Sequence, residues 1–357
     1  MLQTGMQASA LTPQKPIRLA VAGMTHGHIP LILGRADKGD FELVGVYEPN
    51  QELVAKLAKR FKFSEKLAYE NLEEMLDKVK PDAVVAFGPT FDHLAVVEAC
   101  APRRIHVMVE KPLAVNMKHA GRMAELARKY KIHLLTDFET SWYPSTAQSF
   151  KMVNEEKFVG TLRKVVIHDG HQGPKEIGCD PVFLNWLTDP VLNGGGAIVD
   201  FGCYGANLMT ALTNGEKPVS VTAVTRHFKP DVYPMVDDEA TIIVSYLGSQ
   251  CIIQASWNWP FSRKDMEIYG DEGYILSLNG KEMRTRGKAM DAEKAVTVTA
   301  RDVAVYEDPF YYFADVIWGK IAEPKYGLYS LENNLLVVKI LDAARASAKS
   351  GRSVSIK

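Results

Sequence analysis

A lysine directly follows an apolar strand in the stretch 105–112, and this is the first place where the residue types indicate chemistry. Residues 105–109 are predicted to form a buried strand, and Glu110, Lys111 and Pro112 follow it. In an open parallel sheet, ligands bind in the crevice outside the carboxyl ends of the strands. The stretch therefore predicts that Lys111 faces a ligand. The alternative is a surface lysine that happens to follow an edge strand.

A second polar set lies after the three glycines at 194–196, where a helix is predicted to begin. Asp200, Tyr204 and Asn207 are spaced i, i+4 and i+7, so they are predicted to share one face of that helix. Buried polar groups need hydrogen-bond partners, and the hydroxyl groups of a substrate would supply them. The alternative is a structural row of hydrogen bonds between helices.

The first predicted strand runs into a turn in the position of a phosphate-binding loop. A dinucleotide fingerprint has the form G-x-G-x-x-G, whereas this chain has Gly-Met-Thr-His-Gly-His. Only the first glycine matches in register, but the later glycine still frees the backbone near a helix start, whose amides suit a diphosphate. The predicted cofactor contacts in this loop are Gly23, Thr25, His26, Gly27 and His28.

Glu48 ends the second predicted strand, about 20 residues further on, where an acid holds a ribose diol in dinucleotide-binding folds. A carboxylate there also repels a 2′-phosphate, so the sequence favours NAD over NADP. The alternative is an acid that caps the following helix.

Composition excludes several classes of function. The 42 Lys and Arg residues and the 43 Asp and Glu residues nearly cancel, so no basic excess indicates nucleic acid as a partner. No apolar run approaches the ~20 residues that span a membrane. The four cysteines are scattered without a C-x-x-C pair, which predicts reduced thiols and a cytoplasmic protein.

Two fold classes succeed one another along the chain, α/β and then α+β. Alternating strands and helices over 17–137 predict a Rossmann-type, doubly wound parallel sheet. Over 138–357, strands in series predict an open, mainly antiparallel sheet, and a helix at about 335–348 is expected to pack back on the first domain. Residues 1–16 are predicted to form a flexible tail.

Two motifs resemble those of the glucose–fructose oxidoreductase and inositol dehydrogenase (Gfo/Idh/MocA) family. The family has T-P-N-x-x-H after its fourth strand and E-K-P after its fifth. Here the first pattern keeps Pro89 and His93, Gly88 and Thr90 replace its threonine and asparagine, and the second pattern is intact. The stretch 194–204 is similar to the family's G-G-G-x-x-x-D-x-G-x-H/Y. The resemblance covers nearly the whole chain.

The resemblance implies an NAD-dependent oxidoreductase of a sugar, cyclitol or related polyol, with Lys111 beside the nicotinamide. Tyr204 is then the general acid/base, Lys111 the cation that lowers its pKa, and Asp200 the residue that positions the lysine. Further cofactor contacts are implied at Gly88, Pro89, His93, Glu110 and Lys111. The predicted substrate contacts are Lys111, His171, Asp200 and Tyr204.

Two other functions remain open at this stage, namely an NAD-dependent glycoside hydrolase that uses transient oxidation, and a non-catalytic dinucleotide-binding regulator. A homodimer or homotetramer is expected through the second sheet, with no nucleic-acid or membrane partner. No metal site is predicted, because His168, His171, Cys179 and Asp180 lack the spacing of a strong site. Trp257 is expected to cover a sheet face or a subunit contact.

Overall fold

The computed structural model describes residues 14–356, and most of the predicted flexible tail therefore lies outside the described residues. Six strands pair in parallel as the first sheet, in the order β3-β2-β1-β4-β5-β6. This order is that of a dinucleotide-binding Rossmann sheet, which confirms the predicted class. The strands are β1 (Ile17–Ala22), β2 (Phe41–Tyr47), β3 (Ala68–Tyr69), β4 (Ala83–Ala86), β5 (His106–Glu110) and β6 (Leu134–Asp137).

Helices cover both faces of this sheet, and three of them begin at an asparagine. Asn50, Asn71 and Asn116 each accept a hydrogen bond from the backbone N–H three residues further on, which satisfies one free donor of the first turn. The helices are α1 (Pro30–Leu33), α2 (Gln51–Phe61), α3 (Leu72–Val79), α4 (His93–Cys100) and α5 (Met117–Tyr130), with 3₁₀ turns at Glu65–Leu67, Thr90–Asp92 and Ala101–Arg103.

The second sheet has nine strands in the order β14-β13-β12-β11-β7-β10-β9-β8-β15. Its pairs are antiparallel except β7 with β10, so the prediction of a mainly antiparallel sheet is confirmed. The strands are β7 (Leu162–Gly170), β8 (Ser220–Arg226), β9 (Glu239–Ser245), β10 (Gln250–Ser256), β11 (Arg263–Gly270), β12 (Gly273–Ser277), β13 (Glu282–Gly287), β14 (Lys294–Thr297) and β15 (Val354–Ser355). The last four were not predicted, because they bury few side chains and show little apolar alternation.

The single helix predicted after the three glycines is interrupted at Phe201. The carbonyl of Asp200 accepts hydrogen bonds from Lys111 and from the thiol of Cys203, and Tyr204 N–H bonds to Phe201 instead. The helical ladder therefore breaks between two segments. The helices of this region are α6 (Pro144–Asn154), α7 (Pro181–Leu187), α8 (Ala197–Asp200), α9 (Gly202–Leu212), α10 (Pro309–Ile317) and α11 (Leu331–Ser350), with a 3₁₀ turn at Glu139–Trp142.

Late segments of the chain connect the two sheets. In α10, Phe310 and Phe313 pack into the same apolar cluster as Leu19 of β1, a contact that was not predicted. Helix α11 contributes Val338 to the core of the first sheet and Leu341 to the core of the second, so it bridges both. Within residues 14–356, no helix is both long enough and apolar enough to cross a membrane.

Candidate active site

A cavity of about 620 Å³ lies at the carboxyl ends of the first sheet and is closed on its other side by the second sheet. It contains six residues that the sequence had indicated, from four separate stretches of the chain. These residues are His26, His28, Lys111, His171, Asp200 and Tyr204. The cavity therefore gathers the predicted substrate contacts and the end of the predicted phosphate-binding loop.

Lys111 and Asp200 form a buried ion pair in this cavity. The Nζ of Lys111 lies 2.5 Å from Oδ1 of Asp200, and both side chains are less than a tenth exposed. The other oxygen, Oδ2, accepts a hydrogen bond of 3.0 Å from the indole Nε1 of Trp257. Asp200 therefore contacts the lysine directly, and its role in positioning Lys111 stays a prediction. Trp257 was expected to cover a sheet face or a subunit contact; it is fully buried in the core of the second sheet, and its indole also supports this pair.

Each partner of this pair favours the charged form of the other. Burial opposes ionisation of Asp200, but the neighbouring Lys111 ammonium lowers the carboxyl pKa below its ordinary value. Burial would likewise lower the pKa of Lys111, but the Asp200 carboxylate reverses that effect and raises it. The lysine is thus a permanent cation at neutral pH.

Tyr204 lies in the same cavity but does not pair with Lys111 through its hydroxyl. The Nζ of Lys111 lies 5.4 Å from the centre of the Tyr204 ring, and the phenol oxygen instead accepts a hydrogen bond of 3.5 Å from Lys264. Burial raises the pKa of Tyr204 well above its ordinary value, and the carboxylate of Glu139 raises it further. The direction of this shift is opposite to the lowering by Lys111 that was predicted.

The loop after β1 places two histidines against Glu110. Nδ1 of His28 lies 3.2 Å from both carboxylate oxygens of Glu110, and Nε2 of His26 lies 3.9 Å from one of them. Burial lowers the pKa of His26 to about 3, so its ring is neutral. Burial opposes ionisation of Glu110, but the contact with His28 lowers the pKa of this carboxyl to about 2. These predicted cofactor contacts thus bind one another at the edge of the cavity.

Ligand atoms of His26, His28 and Glu110 lie within 4.8 Å of one another, which would suit a metal ion by distance alone. However, Nδ1 of His26 accepts the backbone N–H of His28 at 3.0 Å. A neutral imidazole whose Nδ1 is an acceptor has its proton on Nε2, which then has no lone pair for a metal. This tautomer does not suit a ligand role for His26.

Three of the four residues weighed as weak metal ligands in the sequence have separate partners in the structure, and Cys179 is a free thiol. His168 contacts Asp265 at 3.1 Å, and Nδ1 of His171 accepts the backbone N–H of Gly173. Asp180 caps α7 and forms an ion pair with Lys56. The four residues do not gather into one cluster, but the ligand atoms of His168, Asp265 and Glu267 lie within 4.8 Å of one another.

A second cavity, of about 250 Å³, lies between β1, β2 and β4. It is lined by most of the other predicted cofactor contacts, namely Gly23, Thr25, Glu48, Gly88, Pro89 and His93. Two buried polar atoms in this lining, Oγ1 of Thr25 and Nε2 of His93, have no hydrogen-bond partner among the described residues. Unpaired buried polar atoms are costly, so a polar ligand such as a dinucleotide fits this cavity.

Glu48, directly after β2, stabilises the backbone around this cavity. Its two carboxylate oxygens accept backbone N–H groups of Met24 at 2.9 Å and Asn50 at 3.0 Å. Glu48 therefore supports both the loop after β1 and the start of α2. The second contact agrees with the alternative interpretation, in which this acid caps the following helix. Each carboxylate oxygen can accept a further hydrogen bond, so contact with a ribose diol remains open to it.

Asn207, the third member of the predicted polar face, has a structural role. Its side-chain amide donates to the carbonyl of Leu328 at 2.8 Å and to Oδ1 of Asn334 at 3.3 Å. It thus ties α9 to the chain around the start of α11. The interpretation of hydrogen bonds between helices is correct for this residue, whereas Asp200 and Tyr204 face the cavity.

Comparison with known proteins identifies the family. Residues 17–138 match the sequence model of an oxidoreductase family with an NAD-binding Rossmann fold, and residues 148–276 match the GFO/IDH/MocA C-terminal domain. The chain belongs to the Gfo/Idh/MocA oxidoreductase family. The resemblance stated from the sequence motifs is confirmed.

Several dehydrogenases are similar to this Gfo/Idh/MocA chain. A trans-1,2-dihydrobenzene-1,2-diol dehydrogenase of Xenopus laevis is 27% identical over 61% of this chain and 65% of its own length. A scyllo-inositol 2-dehydrogenase (NADP⁺) of Bacillus subtilis is 24% identical over 73% of this chain and 75% of its own length. An inositol dehydrogenase homologue of Azotobacter vinelandii, solved with NADH and myo-inositol, shares the fold with a TM-score of 0.81 at 14% identity, covering 96% of this chain and 98% of its own.

Three cavity residues of this family member were missed in the sequence, and a fourth residue, Trp257, was not connected to the site. Glu139 and Tyr143 lie in the link after β6, Lys264 lies on β11, and Trp257 follows β10. The polar and aromatic composition of the link 138–144 was the one visible signal. Nothing in the local spacing indicates that Lys264 faces Tyr204, since that contact joins residues 60 positions apart.

Gly23 is expected to tolerate no side chain at the turn after β1. Its φ is +76°, and an added Cβ would lie 2.8 Å from the Cα and N of Gly88 on the neighbouring strand end. We expect Gly23→Ala to destabilise the fold by at least about 1–2 kcal/mol and to weaken dinucleotide binding, because the left-handed backbone and the clash add. Urea denaturation and calorimetric titration measure the two effects. Gly39→Ala, with φ of +73° and no neighbour within 4 Å of the new Cβ, isolates the backbone contribution.

Proposed function

We propose that this protein is an NAD-dependent oxidoreductase that transfers a hydride between nicotinamide and a secondary alcohol or carbonyl of a sugar, cyclitol or related polyol. The observation that supports this function most strongly is the buried Lys111–Asp200 pair at the crevice of the Rossmann sheet. A buried ion pair contributes little net stability relative to apolar residues of similar volume. Its place in the cavity at the strand ends of the first sheet therefore favours a role in binding and reaction.

Three residues of the cavity would have separate roles in such a reaction: binding the substrate oxygen, positioning the lysine and exchanging a proton. A bound nicotinamide would accept the hydride. Lys111 can donate hydrogen bonds to the substrate oxygen, and Asp200 holds its ammonium group in a fixed position. Tyr204 is proposed as the group that exchanges the hydroxyl proton, a role that positioned side chains perform with gains of roughly 10²–10⁴-fold.

The charges of the cavity favour a neutral substrate. Each lysine or arginine in its lining is paired with a carboxylate, so no cation remains to bind a carboxylate or phosphate group. The pairs are Lys111 with Asp200, Lys264 with Glu139, and Arg263 with Asp265. This arrangement suits neutral polyols, and the relatives are named for a diol and an inositol.

The test is a panel of neutral sugars, cyclitols and diols, together with uronic acids and sugar phosphates, followed at the absorbance of NADH. We expect reduction of NAD with members of the neutral group and weaker activity with the anionic ones. Release of free sugar from a glycoside without net NADH would identify the hydrolase instead. Dinucleotide binding without turnover of any compound would favour the regulator.

NAD is proposed as the cofactor in preference to NADP, because of Glu48. The substitution Glu48→Gln removes the negative charge and leaves one acceptor oxygen. Hydrogen bonds to charged groups are worth about 1.5–3 kcal/mol, so we expect NAD to bind about tenfold or more weakly. NADP binding is expected to change less, because the repulsion of its 2′-phosphate is relieved. Calorimetric titration of both dinucleotides measures the ratio, and an unchanged ratio would contradict this role of Glu48.

Self-association and a cytoplasmic location stay predictions. On the second sheet, side chains such as Val166, Ile243 and Ile252 alternate with the core residues and are only partly buried. This outer face is where a homodimer or homotetramer would form. The four cysteines are free thiols, in keeping with the composition argument.

A further inference from the structure

A second lysine, which the sequence did not indicate, lies in the active-site cavity. Lys264 belongs to β11 of the second sheet, whereas Lys111 follows β5 of the first. The Nζ of Lys264 donates a hydrogen bond of 3.5 Å to the phenol oxygen of Tyr204 and lies 4.6 Å from the centre of its ring. The tyrosine thus lies between two cations from different domains.

The two lysines differ in what they contact. Lys111 donates both to the carboxylate and to the carbonyl of Asp200, and it approaches Tyr204 only at the ring, 5.4 Å from the centre. Lys264 instead reaches the oxygen that would gain or lose the proton. A cation acts on a phenol most strongly where the negative charge develops, which is at the oxygen.

Lys264 is itself held by a carboxylate. Its Nζ forms an ion pair with Glu139, whose other oxygen accepts the hydroxyl of Tyr143 at 2.5 Å. Glu139 therefore fixes the ammonium group and also offsets part of its charge. In the antiparallel register Lys264 lies opposite the buried Asp169, a further acidic group near Tyr204.

We propose that Lys264 is a positioning residue that sets the protonation of Tyr204, with Glu139 opposing it. The proposal rests on the proposed function only for its consequence in catalysis. The titratable and charged groups around Tyr204 are Lys111, Lys264, Glu110, Glu139, Asp169 and Cys203. Among these groups, Lys264 donates a hydrogen bond to the phenol oxygen itself, so its charge acts directly at the atom that binds the proton.

The chemical consequence concerns one proton. In the oxidation of an alcohol, the O–H bond of the substrate breaks and its proton passes to the Tyr204 phenolate. A bound nicotinamide would accept the hydride from the carbon that bears this hydroxyl, so that the alcohol becomes a carbonyl compound and the nicotinamide is reduced. Lys264 stabilises the phenolate that accepts the proton, and Glu139 stabilises the neutral phenol that donates it in the reverse direction.

The test measures the protonation of the phenol at position 204 directly. A fluorinated tyrosine, whose phenol is more acidic than that of tyrosine, is incorporated at position 204, and its ¹⁹F resonance is followed against pH in the full-length protein. An opposite charge within ~4–6 Å shifts a pKa by about 1–3 units. We therefore expect Lys264→Met to raise the phenol pKa by at least about one unit and Glu139→Gln to lower it. Lys264→Arg is expected to keep the phenol pKa near that of the parent protein.

A matched control exists in the same domain. Lys229 forms a similar, partly exposed ion pair with Glu176, and its Nζ lies 5.3 Å from the centre of the Tyr233 ring. Lys229→Met is expected to leave the titration at position 204 unchanged. An unchanged titration in Lys264→Met, or shifts of the same sign in Lys264→Met and Glu139→Gln, would overturn the proposal.

The same variants connect the titration to turnover. If the proposed function holds, the pH dependence of kcat/KM for alcohol oxidation moves in the same two directions as the ¹⁹F titration. If no polyol is turned over by the parent protein, the proposed function fails, but the ¹⁹F titration still decides the role of Lys264. The two failures are thus distinguishable.

Discussion

Turnover in Tyr204→Phe is expected to fall by at least about a hundredfold, because the substitution removes the phenol oxygen that is proposed to exchange the proton and leaves the ring in place. The ring packs edge-on against Phe138 and lies beside Lys111, and phenylalanine keeps both contacts. We therefore expect NAD binding and thermal stability to remain close to those of the parent protein. Steady-state kinetics with the best polyol of the panel, and calorimetric titration of NAD, measure the two expectations.

Tyr246 provides the control for this substitution. It is another buried tyrosine of the second domain, located directly after β9 and absent from the lining of the active-site cavity. Tyr246→Phe is expected to retain full activity. Near-full activity in Tyr204→Phe would remove Tyr204 from the reaction and would direct the search for the acid/base group to the other titratable residues of the cavity.

The largest effect on stability is expected at the Lys111–Asp200 pair. Lys111→Met leaves a buried carboxylate unpaired, and Asp200→Asn leaves a buried ammonium group unpaired, so each is expected to destabilise the fold by about 3–5 kcal/mol. The double variant has no buried charge at this place and is expected to lose less than the sum of the two. Urea denaturation followed by tryptophan fluorescence gives the four free energies of unfolding that complete the cycle.

The pair on α3 between Lys78 and Glu74 is a suitable reference, because both side chains are more than half exposed. Exposed pairs at this spacing contribute about 0.3–0.5 kcal/mol, so the corresponding cycle is expected to show almost no coupling. Coupling at Lys111 and Asp200 no larger than this reference would mean that the pair is not the strong interaction that its burial implies.

The pH dependence of stability follows from the same pair. The Asp200 pKa is lowered in the folded state, so its contribution is present above the unfolded value, ~3.9, and is lost as pH falls through the folded pKa. The Lys111 pKa is raised, so its contribution is present below the unfolded value, ~10.4, and is lost as pH rises through the folded pKa. The contribution of the pair is therefore complete between these limits, and the double variant is expected to lack both pH-dependent components.

Many residues of the site could be predicted from their positions at strand ends and in glycine-containing turns. Lys111 and Glu48 each end or follow a strand of a parallel sheet, and such ends converge on one crevice whatever the details of packing. Gly23 precedes a turn that admits no side chain, and the glycines at 194–196 mark the start of the polar stretch that contains Asp200 and Tyr204. These features depend on residues close together in the chain, so the sequence alone sufficed to predict the fold class and many of the residues that line the two cavities.

The partners of those residues were decided by tertiary structure. Trp257 and Lys264 reach Asp200 and Tyr204 because β10 and β11 flank β7 on opposite sides in the second sheet, an order with no local signature. Asn207 turned away from the cavity to bond around the start of α11. Hydrogen bonds and charges act over a few ångströms in space, and these contacts join residues more than fifty positions apart, so only the packing of the two sheets could bring them together.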